Sequence, residues 1–87
     1  MPHKEVEIYT TTYCPYCVKA KTLLTRKGVA YKEISVDDDV ERTKMIERTG
    51  GARTVPQIFI GGEFIAGGAD GLLELESKGQ LDQLLAI

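Results

Sequence analysis

The sequence predicts an α/β fold, a four-stranded mixed sheet flanked by helices on both faces. Three observations carry that expectation. Residues 6–36 read as strand, helix and strand in succession, which is the pattern of a βαβ unit. Two short apolar runs, 57–60 and 63–66, sit either side of Gly61-Gly62 as the arms of a hairpin. Helical patterns fill the stretch between these units and the stretch after them. At 87 residues the chain is expected to form one domain, residues 1–87, with a single compact core.

The first strand is Val6-Glu7-Ile8-Tyr9-Thr10, where apolar and polar residues alternate as on a half-buried strand. A helix is expected over 15–27. Cys17, Ala20 and Leu24 recur at i, i+3 and i+7 beside Val18, with Lys19, Lys21, Arg26 and Lys27 between them. Pro15 suits its first turn, where the missing N–H would have no partner, and Gly28 is a C-terminal stop. A second strand over 31–36 alternates Tyr31, Glu33 and Ser35 with Lys32, Ile34 and Val36, and should run parallel to the first. Asp37-Asp38-Asp39 places carboxylates at a helix start, with Val40, Met45 and Ile46 as apolar positions and Thr49-Gly50-Gly51 as the end. Residues 52–56 form a loop, since a residue before proline avoids helical backbone. After the hairpin, Asp70 is expected to cap a third helix carrying Leu72, Leu73 and Leu75 and ending at Gly79. Leu81, Leu84 and Leu85 make a short last turn that packs back on the core. This order of elements is that of the thioredoxin fold, although periodicity alone does not give the strand order.

Both cysteines lie at the junction of the first strand and first helix, as Cys14-Pro15-Tyr16-Cys17. Cys14 therefore stands at a helix N-terminus, where unpaired N–H groups and the dipole favour thiolate over thiol. Such a site lowers a cysteine pKa from about 8.5 to between roughly 3.5 and 7.5. Cys17, one turn later, is within reach for a disulfide. Three other roles compete with a redox dithiol. A structural disulfide closing so small a loop would be a weak staple. A zinc or cluster site needs further ligands, and the chain has no third cysteine and one histidine, His3, expected in a loose N-terminus. An inert pair is the remaining possibility.

A net charge of −2 offers no electrostatic case for nucleic acid or a membrane surface. With 43% hydrophobic and 28% charged residues, the chain has the composition of an ordinary globule. No export signal and no membrane-spanning run are read, and two cysteines in such a chain point to a reducing, cytoplasmic setting.

Beyond these local readings, Cys14-Pro15-Tyr16-Cys17, Thr54-Val55-Pro56-Gln57-Ile58-Phe59-Ile60 and Gly67-Gly68-x-Asp70 resemble the three signatures of the dithiol glutaredoxins, most of all the bacterial glutaredoxin-3 type. The similarity runs over residues 6–85. It implies that Cys14 is the nucleophile and Cys17 the resolving thiol of a glutathione-dependent thiol–disulfide oxidoreductase. It also implies a glutathione groove lined by Tyr16, Thr54, Val55, Pro56, Gly68 and Asp70, with a cis peptide before Pro56. In the family, the backbone beside that proline receives glutathione like an added strand. By sequence alone Thr54-Val55-Pro56 reads as an ordinary loop entering a strand, and Gly67-Gly68 as a tight turn. Arg42 falls where the family often binds the glycine carboxylate of glutathione; a solvated surface charge is its alternative. Two positions depart from the pattern. Thr11 stands where the family has lysine, and Gly71 where it often has aspartate, and both bear on the strength of glutathione binding.

The implied partners are glutathione, as reducing co-substrate, and disulfide-containing or glutathionylated proteins, with a monomer, no tightly bound cofactor and no metal. Two rival functions are an iron–sulfur cluster held between protomers with glutathione, and a redoxin fed by thioredoxin reductase. Pro15 and Cys17 count against the first, and the Thr54-Val55-Pro56 and Gly67-Gly68 signatures against the second.

Overall fold

The computed structural model describes residues 3–87. Strand β1 (Val6–Thr10) runs parallel to β2 (Lys32–Ser35) and antiparallel to β3 (Gln57–Ile60), which pairs antiparallel with β4 (Glu63–Ile65). The sheet order is β2-β1-β3-β4, a mixed sheet with β1 and β3 at its centre. Helices α1 (Pro15–Arg26), α3 (Gly68–Ser77) and α4 (Leu81–Leu85) cover one face, and α2 (Asp39–Arg48) covers the other.

The alternation along each strand divides the core between these faces. Val6, Ile8, Ile58, Ile60 and Ile65 turn to one side, against Ala20, Leu23 and Leu24 of α1, Leu72 of α3 and Leu81 and Leu85 of α4. Tyr9 and Phe59 turn to the other, against Val36 and Met45. Ile8, Leu24, Ile58 and Leu72 are fully buried, and each such side chain contributes about 1.5–3 kcal/mol relative to exposure.

Several local expectations are corrected. Strand β2 stops short of Tyr31 and Val36, since its ladder with β1 runs only from Glu7–Lys32 to Thr10–Ser35. Val18 and Val40 are 56% and 61% exposed, outside the apolar stripes of their helices. The aspartate run does mark the start of α2: Asp38 caps it by accepting the Val40 N–H at 3.2 Å, and Asp39 is its first residue. Helix α3 starts at Gly68, after Gly67 in left-handed backbone, which leaves Asp70 inside the first turn and not at the cap. His3 is tied down: its Nε2 accepts the Ala30 N–H at 3.0 Å, and the next residue, Lys4, donates its N–H to the Leu85 carbonyl at 2.9 Å.

On the α2 face Arg48 grips Glu7 through two nitrogens, at 2.7 and 3.0 Å. The same guanidinium donates to the Tyr9 hydroxyl at 3.2 Å and lies 3.8 Å over the Phe59 ring. Arg48→Ala is expected to destabilise the fold by about 1–2 kcal/mol, combining charge-assisted hydrogen bonds with a cation–π contact. A thermal midpoint equal to that of the parent chain would show that the cluster contributes nothing net. The Arg48 hydrogen bond holds the Glu7 carboxyl below its ordinary 4.5, aided by the Arg48 and Lys32 charges and opposed by burial. A depressed carboxylate stabilises fully above its unfolded value and loses that contribution as pH falls through the folded one. Stability is therefore expected to decline with acidification below 4.5, and less steeply in Arg48→Ala, in unfolding curves taken across that range.

Candidate active site

Cys14 occupies the N-cap of α1, with extended backbone at φ −144° and ψ 97°. Its sulfur does what a capping oxygen does elsewhere, accepting the Cys17 N–H at 3.1 Å. Its carbonyl accepts the Val18 N–H at 3.1 Å, and Pro15 opens the first turn without an orphaned donor. Cys14 is half-buried, whereas Cys17 is only 1% exposed. The two are joined as a disulfide, with Cα atoms 5.2 Å apart. On reduction, an anion on the Cys14 sulfur would keep the Cys17 N–H as donor and the positive end of α1 beneath it, both of which favour thiolate.

Across from this sulfur lies the carbonyl oxygen of Val55, at 3.8 Å. A disulfide sulfur has no proton to donate, so this is a packing contact that sets Cys14 against the loop before β3. The Val55–Pro56 peptide is cis. Side chains from neighbouring elements hold the loop: Gln57 Nε2 donates to the Thr54 carbonyl at 2.8 Å, Arg42 Nη1 donates to the Arg53 carbonyl at 3.3 Å, and Thr49 Oγ1 accepts the Ala52 N–H at 3.0 Å.

An open groove of about 360 Å³ is bounded by Tyr16 and by Val55, whose carbonyl the Cys14 sulfur touches, although neither cysteine lines it. Tyr16, Thr54, Val55, Pro56, Gly68 and Asp70, drawn from three separate stretches of sequence, all line it. Arg42 does not line the groove and reaches only the backbone behind Thr54. Gly68 has φ +59°, and a Cβ there would stand 3.1 Å from the Pro56 carbonyl oxygen, so the turn before α3 packs directly on the cis-proline loop. Tyr16 is 53% exposed, with the Lys19 ammonium 5.1 Å from its ring centre, and Tyr13 is almost wholly exposed.

Three features escape a sequence reading. Phe64 forms part of the groove wall from β4, its ring centre 5.4 Å from that of Phe59 and tilted to it by 38°. A Cβ on Gly71 would overlap the Ala66 carbonyl oxygen, so the departure there is imposed by the backbone. Asp37 reaches back to the loop ahead of Cys14, where its Oδ2 accepts both the N–H and the hydroxyl of Thr12. Sequence patterns do not show these, because each depends on a backbone approach or a contact that only the folded chain makes.

A cysteine pair at a helix start, a cis-proline loop opposite it and a glycine turn closing one groove make a site for exchange between thiols and disulfides. Known proteins agree. A glutaredoxin family model matches residues 6–65. Glutaredoxin 3 of Escherichia coli K12 is 51% identical over 81 residues, covering 92% of this chain and 95% of that protein. The solution structure of glutaredoxin from Brucella melitensis superposes with a TM-score of 0.81 at 48% identity, covering 98% of this chain and 91% of the other. A crystal structure of a buckwheat glutaredoxin–glutathione complex superposes with a TM-score of 0.84 at 34% identity, over 95% and 77% of the two chains. The chain belongs to the glutaredoxin family of thiol–disulfide oxidoreductases.

Proposed function

We propose that the chain, working as one domain, reduces glutathione mixed disulfides and protein disulfides, with Cys14 as nucleophile, Cys17 as resolving thiol and glutathione as co-substrate. The observation that carries this reading is the Cys14 sulfur at the N-terminus of α1, fed by the Cys17 N–H and set against the Val55 carbonyl beside the groove. Cys14 thiolate attacks the glutathionyl sulfur of a mixed disulfide. The Cys14–glutathione bond forms, and the target leaves as thiolate and takes a proton from solvent. A second glutathione thiolate attacks the bound glutathione sulfur, which releases oxidised glutathione and restores Cys14. With a protein disulfide, Cys14 forms the mixed disulfide and Cys17 attacks the Cys14 sulfur. The target is released as a dithiol, and the chain is left in the Cys14–Cys17 disulfide state seen here. Two glutathiones then reduce that disulfide. A lowered Cys14 pKa serves twice, by supplying thiolate and by making Cys14 a good leaving group.

Tyr16, Thr54, Val55, Pro56, Gly68 and Asp70 are the proposed glutathione contacts, with the start of α3 offering N–H groups to a carboxylate. The test is a coupled assay with a glutathionylated peptide, glutathione, glutathione reductase and NADPH. NADPH consumption well above the protein-free rate is expected, and none would refute the proposal. For Arg42 the proposal is that its guanidinium leaves the Arg53 carbonyl for the glycine carboxylate of glutathione, so Arg42→Ala is expected to weaken glutathione use by about 0.5–1.5 kcal/mol, seen as a raised KM. An unchanged KM would reduce Arg42 to a brace for the Arg53 carbonyl.

A further inference from the structure

We propose that Asp37 is a positioning residue for the Cys14 sulfur, acting through Thr12. The inference rests on Cys14 being the reacting thiol. Asp37 lies at the junction of β2 and α2, 25 residues after Thr12, and Asp38 already serves as the α2 cap. Its carboxylate turns away from the helix. Oδ2 accepts the Thr12 N–H at 3.1 Å, the Thr12 hydroxyl and the Ser35 hydroxyl at 3.2 Å. The Asp37 N–H donates in turn to Ser35 Oγ at 3.3 Å, which fixes the carboxylate to the end of β2. Among the described residues, no other side chain hydrogen-bonds to residues 11–13. Tyr13, the next residue, is 94% exposed and anchors nothing.

Two residues beyond Thr12, Cys14 must enter α1 with extended backbone so that its sulfur meets the Cys17 N–H and the Val55 carbonyl. A loop released at Thr12 would let Cys14 drift from that alignment, and small misplacements of a reacting atom slow reaction strongly. The Thr12 hydroxyl holds the Asp37 carboxyl below the ordinary carboxylate range, with help from Ser35, the Thr12 N–H and the charge of Arg42 and against the opposing effect of burial. The side chain is thus a full anion at neutral pH. Its two influences on Cys14 have opposite signs. Holding the loop favours thiolate by aligning the N–H donor, while the negative charge itself disfavours thiolate.

That opposition gives the test. Asp37→Ala removes both the charge and the acceptor, whereas Asp37→Asn removes the charge and keeps a carbonyl oxygen for Thr12. The expected result for Asp37→Ala is a kcat/KM on glutathionylated peptide lower by about fivefold or more. The loss should fall mainly on kcat, with the Cys14 pKa raised in thiolate-absorbance titration. Asp37→Asn is expected to retain most of the activity, with a Cys14 pKa unchanged or lower. Thr12→Val, which loses only the hydroxyl, should fall between the parent and Asp37→Ala and should not add to it. Parent values of kcat/KM and of Cys14 pKa in both Asp37→Ala and Thr12→Val would overturn the proposal. So would equal losses in Ala and Asn variants that track only the unfolded fraction. Cys14→Ser, assayed alongside, separates the two claims. If it is inactive while the Asp37 variants behave as the parent, the positioning role alone fails; if it is active, the Cys14 assignment fails first.

Discussion

Cys14→Ser is expected to abolish turnover on both glutathione mixed disulfides and protein disulfides. Cys17→Ala is expected to keep the first activity and lose the second. The asymmetry follows from where the two sulfurs sit. Cys14 is the half-buried one, against the Val55 carbonyl, and without it the remaining thiol, Cys17, is too buried to attack. Cys17 is buried, but the group that supports the Cys14 sulfur is the Cys17 backbone N–H, which any substitution other than proline retains. The alanine variant should therefore keep a Cys14 thiol that titrates below the ordinary value of about 8.5. Alanine is the better probe than serine here, because an unpartnered hydroxyl at so buried a position costs roughly 1–3 kcal/mol. Both variants would be assayed for deglutathionylation and for reduction of a disulfide-bonded protein. Deglutathionylation at the parent rate by Cys14→Ser would sink the assignment, as would equal loss of both activities in Cys17→Ala.

Gly71→Asp, which restores the residue common in the family, is expected to harm this protein. The Cα of Gly71 approaches the Ala66 carbonyl so closely that any Cβ overlaps the oxygen, and its N–H donates to the Gly67 carbonyl at 3.0 Å. A side chain there must push the strand end at Ala66 away from α3. Over-packing of this kind costs about 1–3 kcal/mol, and Gly71→Ala should show most of it. The displaced segment leads directly into Gly67 and Gly68, whose turn packs on the Pro56 carbonyl at the groove. Loss of stability is therefore expected together with a higher KM for glutathione, not the tighter use that the family pattern alone would suggest. Thermal unfolding and glutathione kinetics on the Ala and Asp variants check this. An unchanged midpoint with a lower KM would show that the backbone yields freely and that the missing carboxylate limits binding.

The expectation from resemblance and the geometry agree best where the chemistry is local. The N-cap position of Cys14 was legible because Pro15, the apolar spacing of Cys17, Ala20 and Leu24, and the preceding strand all lie within a few residues. The strands were legible for the same reason, since alternation is a property of neighbours, but the half-buried reading of β1 is corrected: β1 and β3 are central strands buried on both faces. The groove residues came from motif resemblance, and six of the seven line one surface, while Arg42 supports it from behind.

What the sequence by itself determined is thus the set of elements and the cysteine pair at a helix start, while the stretches that meet around it were marked only by family resemblance. Tertiary structure alone decided the order β2-β1-β3-β4, the grip of Arg48 on Glu7 across 41 residues, the reach of Asp37 to Thr12 and the close approach at Gly71. Periodicity and capping act over one or two turns of chain, so they leave a readable pattern. The contacts of Arg48 and Asp37 arise only when strand register and helix packing bring distant residues together, and that at Gly71 depends on the exact path of the turn into α3, so no local preference of these residues records the partner it will meet.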